Sequence, residues 1–120
     1  MFKARLVAKG FSQTYGVDYR ETYAPVVRLA SVRALLALAV QEGAHIHQMD
    51  VKTAFLNGDL EEEVYMMQPP CFEDRSRPGD VCRLQKGLYG LKHAPRAWYK
   101  KIDRVLRSVG VSRSKADNGI

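Results

Sequence analysis

The stretch His47-Gln48-Met49-Asp50-Val51-Lys52-Thr53-Ala54-Phe55-Leu56-Asn57-Gly58-Asp59-Leu60 decides how this chain is read. From His45 to Val51 the residues alternate, which predicts a strand carrying Asp50 on one face with Ile46 and Gln48, while Met49 and Val51 point the other way. Asn57-Gly58 then turns the chain. A carboxylate at the end of a buried strand is costly unless a cation or a hydrogen-bond donor lies against it, so Asp50 is the candidate metal-binding residue. His45 and His47 share a strand face, but two ligands without a third make a poor zinc site, and both are expected to be structural.

Upstream of this stretch, Ser31 is placed to cap a helix that continues through Gln41 and stops at Gly43. Val32, Leu35, Leu36, Ala39 and Val40 recur with helical period, predicting an apolar stripe packed under the sheet that carries Asp50. Phe2 to Lys9 alternates as a strand, with Phe2, Ala4, Leu6 and Ala8 on a core face and Lys3, Arg5, Val7 and Lys9 on a largely basic one. Cations at every second residue can track phosphates, although a solvated outer face has the same pattern. Ser12 to Arg28, with Gly16, Pro25 and several tyrosines, has no period and is expected to be a loop.

Downstream, Asp59, Glu61, Glu62 and Glu63 form an acidic run expected to be a solvated turn. Val64–Met67 and Val81–Leu84 are expected strands, and the polar segment 71–80 between them an exposed loop. Gln85 to Lys92 is a glycine-punctuated, basic connection, in which glycines allow close backbone approach and Lys86 and Lys92 suit phosphate or a template strand. Pro95 to Val109 is expected to be a helix with Trp98, Ile102, Val105, Leu106 and Val109 buried. Arg96, Lys100, Arg104 and Arg107 line another of its faces.

The 120 residues suit one small domain, and 46% hydrophobic content suits a globular class. A formal charge of +6 and a pI near 9.5 fit an anionic partner, nucleic acid being the simplest, or plain solubility. Cys71 and Cys82 are too few and too far apart for a disulfide framework or a paired-cysteine metal site, which suggests a reduced, intracellular setting, cytoplasmic or nuclear. No secretory signal is recognisable, and the apolar run Ala34 to Val40 is too short to span a membrane.

The nine positions Asp50 to Gly58 resemble the first acidic motif of the reverse transcriptase domain in copia-type retrotransposon Pol polyproteins. Three further blocks are similar to the same family in the same order: Lys3 to Phe11, the phrases around Gly16-Val17-Asp18-Tyr19 and Tyr23-Ala24-Pro25, and Leu84 to Lys92 followed by Ala94 to Tyr99. His93 stands where the family would have a glutamine. The resemblance implies an α+β fold, with fingers over about residues 1–30 and part of the palm over about 31–120, including a hairpin insertion. A small antiparallel sheet would pack on two main helices, and the domain would be incomplete. It implies Asp50 as catalytic residue, with Val51 beside it at the metal, and Phe55 beneath the sugar of the incoming nucleotide, where it would exclude a 2′-hydroxyl. Lys3, Arg5, Lys86 and Gly87 would serve the nucleotide, and Lys9, Lys92, Arg96 and Lys100 the nucleic acid. The implied partners are an RNA template, a DNA primer, a deoxynucleoside triphosphate and the rest of the polyprotein, with Mg²⁺ or Mn²⁺ in the full enzyme. No membrane partner is implied.

Two-metal polymerases need carboxylates from separate strands. Asp50 would be one, whereas the family's Tyr-x-Asp-Asp motif has no counterpart here, since no Asp-Asp occurs in these residues. Tight metal binding and primer extension by these 120 residues alone are therefore not expected. Two other readings fit the same residues: a catalytically dead remnant that binds nucleic acid or a protein partner, and an unstable pseudogene product with uncovered apolar surface.

Overall fold

Backbone hydrogen bonding in the computed structural model, which describes Phe2 and residues 4–120, organises the chain into two helices and one two-stranded sheet. The helices are α1 (Leu29–Gln41) and α2 (Ala94–Ser108), and the strands β1 (Asp59–Met67) and β2 (Val81–Lys86) pair antiparallel. This is a small α+β arrangement. The sheet packs on α2 and on the 3₁₀ turn Ala54–Asn57 that leads into β1, and not on α1.

β1 begins earlier than its apolar residues suggest, because the acidic run is part of the strand and not a solvated turn. Leu60, Glu62, Val64 and Met66 face inward to different degrees, while Asp59, Glu61, Glu63, Tyr65 and Met67 are exposed. Period-two alternation thus survives through charged residues. The ladder pairs Asp59 with Lys86 and Val64 with Leu84, with a register irregularity between the two pairs. Loop 68–80 is tied at its neck by Gln68, whose side-chain amide donates to the Arg77 and Asp80 carbonyls and accepts from the Asp74 N–H.

The core is small. Val64, Leu91 and Ala94 are buried together, with Ala8, Phe55, Leu60, Leu84 and Leu88 packed around them. The buried face of α2 is Ala94 and Ala97 rather than the expected large stripe, for Val105, Leu106 and Val109 are exposed. The reason is close approach: a Cβ on Gly58 would lie 2.7 Å from the Trp98 amide nitrogen. A turn that close to a helix backbone admits only small side chains between them.

Two expected strands do not form. His45 to Val51 is irregular and exposed, and residues 4–9 form no ladder; besides a local bond from the Ser12 N–H to the Lys9 carbonyl, the Ala8 N–H donates to the Tyr89 carbonyl at 2.7 Å. Of the expected core face of that segment, Phe2 and Leu6 are exposed and Ala8 alone packs on the core. A strand needs a neighbour to satisfy its ladder, and among the described residues none pairs with 45–51. Without that sheet α1 has nothing to pack under, and none of its residues is buried. The radius of gyration is accordingly 18.5 Å, against about 14 Å for a compact chain of this length.

What holds α1 is one distant carboxylate. Ser31 lies inside the first turn and is not the cap; the flanking residue is Arg28, which makes no side-chain cap. Asp117 Oδ2 accepts from the Arg28 N–H at 3.1 Å and the Ser31 hydroxyl at 2.6 Å, while Oδ1 accepts from the Gly119 N–H at 3.0 Å. An anion there meets the free N–H groups and the positive end of the helix dipole. The Ser31 hydroxyl first, then the Gly119 and Arg28 amides, hold the Asp117 carboxyl below the usual carboxylate range.

Because the folded-state pKa lies below the unfolded one, this stabilisation is fully present above the unfolded value and disappears as pH falls through the folded one. Amide hydrogen exchange is expected to show α1 losing protection in that acid window, or at neutral pH in Asp117→Ala, while α2 stays protected. Equal loss in both helices would contradict a local tie.

Candidate functional site

The glycine-rich connection after β2 gathers most of the residues singled out from sequence. The Gly87 N–H donates to the Gly58 carbonyl at 2.8 Å, and a Cβ on Gly87 would lie 2.6 Å from the Phe55 carbonyl oxygen. Gly90 has φ +93°, and a Cβ there would lie 2.1 Å from the Ala8 carbonyl oxygen. Three segments distant in sequence, 4–9, 54–58 and 87–91, therefore meet backbone to backbone. Only glycine permits both the left-handed φ and the approach at position 90.

Side chains follow from that contact. The Phe55 and Tyr89 rings lie 5.0 Å apart between centroids, tilted by 51°, and the Arg5 guanidinium carbon sits 5.4 Å over the Tyr89 ring. Lys86 ends β2 opposite Asp59, and Gly87 follows it. Arg5, Phe55, Lys86 and Gly87 are thus brought to one region. Lys9 is exposed nearby in sequence, its carbonyl accepting from Ser12, and Lys3 lies outside the described residues. Tyr89 has no signal of its own in the sequence beyond its place between two glycines.

Asp50 and Val51 are exposed in the irregular segment before the turn. Between Asp50 and Phe55, Thr53 adopts φ 52° and ψ 43°, a left-handed conformation costly for a β-branched residue. The Asn57 side-chain amide donates to the Lys52 and Thr53 carbonyls around it. No group of three His, Cys, Asp or Glu among the described residues is arranged to hold a metal ion, His45 and His47 included.

The basic face of α2 is largely engaged by acids. Arg96 pairs with Glu21 and donates to the Tyr23 carbonyl, Lys100 pairs with Glu61, and Lys101 with Asp59 at 2.9 Å. Lys92 donates to the Gln13 carbonyl at 2.8 Å and lies 5.3 Å over the Tyr19 ring. The hydrogen bond and charge of Lys101 hold Asp59 below the usual carboxylate range, and Lys100 does the same for Glu61. Beside them His93 is 2% exposed, and neither of its ring nitrogens has a hydrogen-bond partner. An apolar cleft of about 510 Å³ lies between residues 24–27, α2 and the last residues, walled by Pro25, Val27, Trp98, Ile102, Leu106 and Ile120.

All 120 residues match the family model described as reverse transcriptase (RNA-dependent DNA polymerase). The chain belongs to this reverse transcriptase family. It is 51% identical over 119 residues to the retrovirus-related Pol polyprotein from transposon RE2 of Arabidopsis thaliana, covering 99% of this chain and 8% of that protein. It is 50% identical over 116 residues to the corresponding polyprotein from transposon TNT 1-94 of Nicotiana tabacum, covering 97% and 9%. The more distant Ty1-H Gag-Pol polyprotein of Saccharomyces cerevisiae is 33% identical over 109 residues, covering 87% and 6%. The chain thus spans less than a tenth of the length of these curated relatives. No solved structure matches it. Among the described residues no helix is long and apolar enough to cross a membrane.

The backbone contact at Gly90 is open to a direct test. Gly16 also has positive φ, +84°, but open space where a Cβ would go, so it reports conformational strain alone. Gly90→Ala is expected to destabilise this reverse transcriptase family chain by about 1–3 kcal/mol more than Gly16→Ala, measured by urea unfolding. Equal effects would mean that segment 4–9 does not dock there.

Proposed function

We propose that these residues are the fingers and first part of the palm of a copia-type RNA-directed DNA polymerase, contributing to nucleotidyl transfer from a deoxynucleoside triphosphate to a primer end. The family match along the whole chain carries this reading, because Asp50 to Gly58 lies inside it. Asp50 contributes one carboxylate toward Mg²⁺ or Mn²⁺, with the Val51 carbonyl beside it. Such ions, when bound, activate the primer hydroxyl and neutralise the triphosphate. The remaining carboxylates come from outside these 120 residues.

Phe55 serves as the sugar-side gate, since a ring packed against a turn occupies space that an added hydroxyl would need. Lys3, Arg5, Lys86 and Gly87 serve the nucleotide. Lys9, Lys92, Arg96 and Lys100 face the nucleic-acid backbone, the last two in exchange with their acidic partners. RNA template, DNA primer and the rest of the polyprotein are the partners. The charge of +6 also favours a second reading, a chain that binds nucleic acid without turnover.

The 120-residue chain alone is expected to give no templated incorporation with magnesium and a matched primer. Joined to the remainder of the reverse transcriptase domain of the tobacco relative, it is expected to support incorporation that Asp50→Ala lowers by at least about a hundredfold, as loss of a metal-binding carboxylate should. Incorporation insensitive to Asp50→Ala would remove the catalytic reading. Salt-sensitive RNA binding without incorporation in the joined protein would favour the second one.

A separate measurement addresses the paired cations. Glu61→Gln is expected to tighten single-stranded RNA binding by the chain by roughly two- to fivefold, the scale of one exposed ion pair released. If affinity is unchanged, Lys100 does not meet the nucleic acid.

A further inference from the structure

We propose that Tyr89 is a positioning residue for sugar selection: its ring fixes the ring of Phe55 and joins it to the cation of Arg5. This rests on the reading of Phe55 as the sugar-side gate. Tyr89 contacts both groups, with its centroid 5.0 Å from that of Phe55 and 5.4 Å from the Arg5 guanidinium carbon.

Its own backbone is pinned on either side. The Tyr89 carbonyl accepts the Ala8 N–H at 2.7 Å, Gly90 is wedged under the Ala8 carbonyl, and Gly87 under that of Phe55. A ring carried on so constrained a loop has few positions available, and a neighbouring ring packed on it inherits that restriction. Phe55 also packs on the core of Val64, Leu91 and Ala94, but Leu56 and Asn57 of its short turn are exposed, so Tyr89 is the aromatic ring that meets it. A guanidinium stacked on a ring keeps its N–H donors free for anionic oxygens. Arg5 can therefore hold a phosphate without leaving Tyr89, and the triphosphate and sugar ends of one nucleotide are read from either side of a single residue.

The test compares binding of dATP and ATP, each with magnesium and a matched primer and template, to the chain joined to the remainder of the reverse transcriptase domain of the tobacco relative, by equilibrium titration. Wild type is expected to prefer dATP, and Tyr89→Phe to keep the preference. Tyr89→Leu should reduce it by roughly two- to tenfold, the range of one aromatic pair, in a variant that still unfolds cooperatively in urea. Loss of preference in Phe55→Val but not in Tyr89→Leu would overturn the proposal and leave the gate standing. No preference in wild type would remove the gate reading and this inference with it. If Tyr89→Leu does not fold, nuclear Overhauser contacts between the two rings in wild type decide: their presence supports the proposal, and their absence overturns it.

Discussion

Backbone-to-backbone contact at glycines is the constraint from which the rest of the structure follows. At Gly58, Gly87 and Gly90 the neighbouring main chain is so near that a Cβ would fall 2.1–2.7 Å from a backbone atom. Side chains cannot mediate contacts at that range, so the hydrogen bonds from Gly87 to Gly58 and from Ala8 to Tyr89 do so instead. The small apolar core of Val64, Leu91 and Ala94 grows around this contact. The rings of Phe55 and Tyr89 and the cation of Arg5 are carried to one place by it. The cluster of Arg5, Phe55 and Tyr89 is thus a by-product of close main-chain packing, and bulk at any of the three glycines would dismantle both together.

Charge organises the opposite side of β1. Glu61 and Asp59 face outward and meet Lys100 and Lys101 of α2, so the strand and helix are joined by exposed ion pairs over a narrow alanine seam. Such pairs are individually weak and screened by salt. They bias the basic helix toward its own protein, and a polyanion must compete with them. Loop 13–23 repeats the pattern, with Glu21 on Arg96 and the Gln13 carbonyl on Lys92. Asp103, although burial raises its pKa, is held below the usual range by Arg113 and Arg107, which ties the segment after α2 back to the helix.

α1 shows the reverse situation. Its apolar residues Leu35, Leu36 and Leu38 are about half exposed, and its place is set by the carboxylate of Asp117 at its N-terminal end. Helix propensity and backbone hydrogen bonding form the helix locally, whereas its stripe finds no sheet. Asp50 shares that fate, since the segment before it has no strand neighbour among the described residues.

Family membership and the local elements were legible in the sequence because they depend on local order alone. Nine consecutive residues from Asp50 mark the reverse transcriptase, period and a following glycine mark both helices to within a few residues, and two short apolar runs mark the paired strands, although β1 begins at Asp59 rather than Val64. The expected strands at 2–9 and 45–51 do not form among the described residues for a physical reason: alternation states which face could be buried, and only a partner can bury it. The pairing of Arg96 and Lys100 with Glu21 and Glu61 and the trans cap from Asp117 join residues far apart in the chain. Periodicity carries no information on such distances. The sequence by itself determined the family and the local elements; tertiary structure alone decided that Tyr89 stands between Arg5 and Phe55, because that meeting requires three glycines to bring three separate segments together.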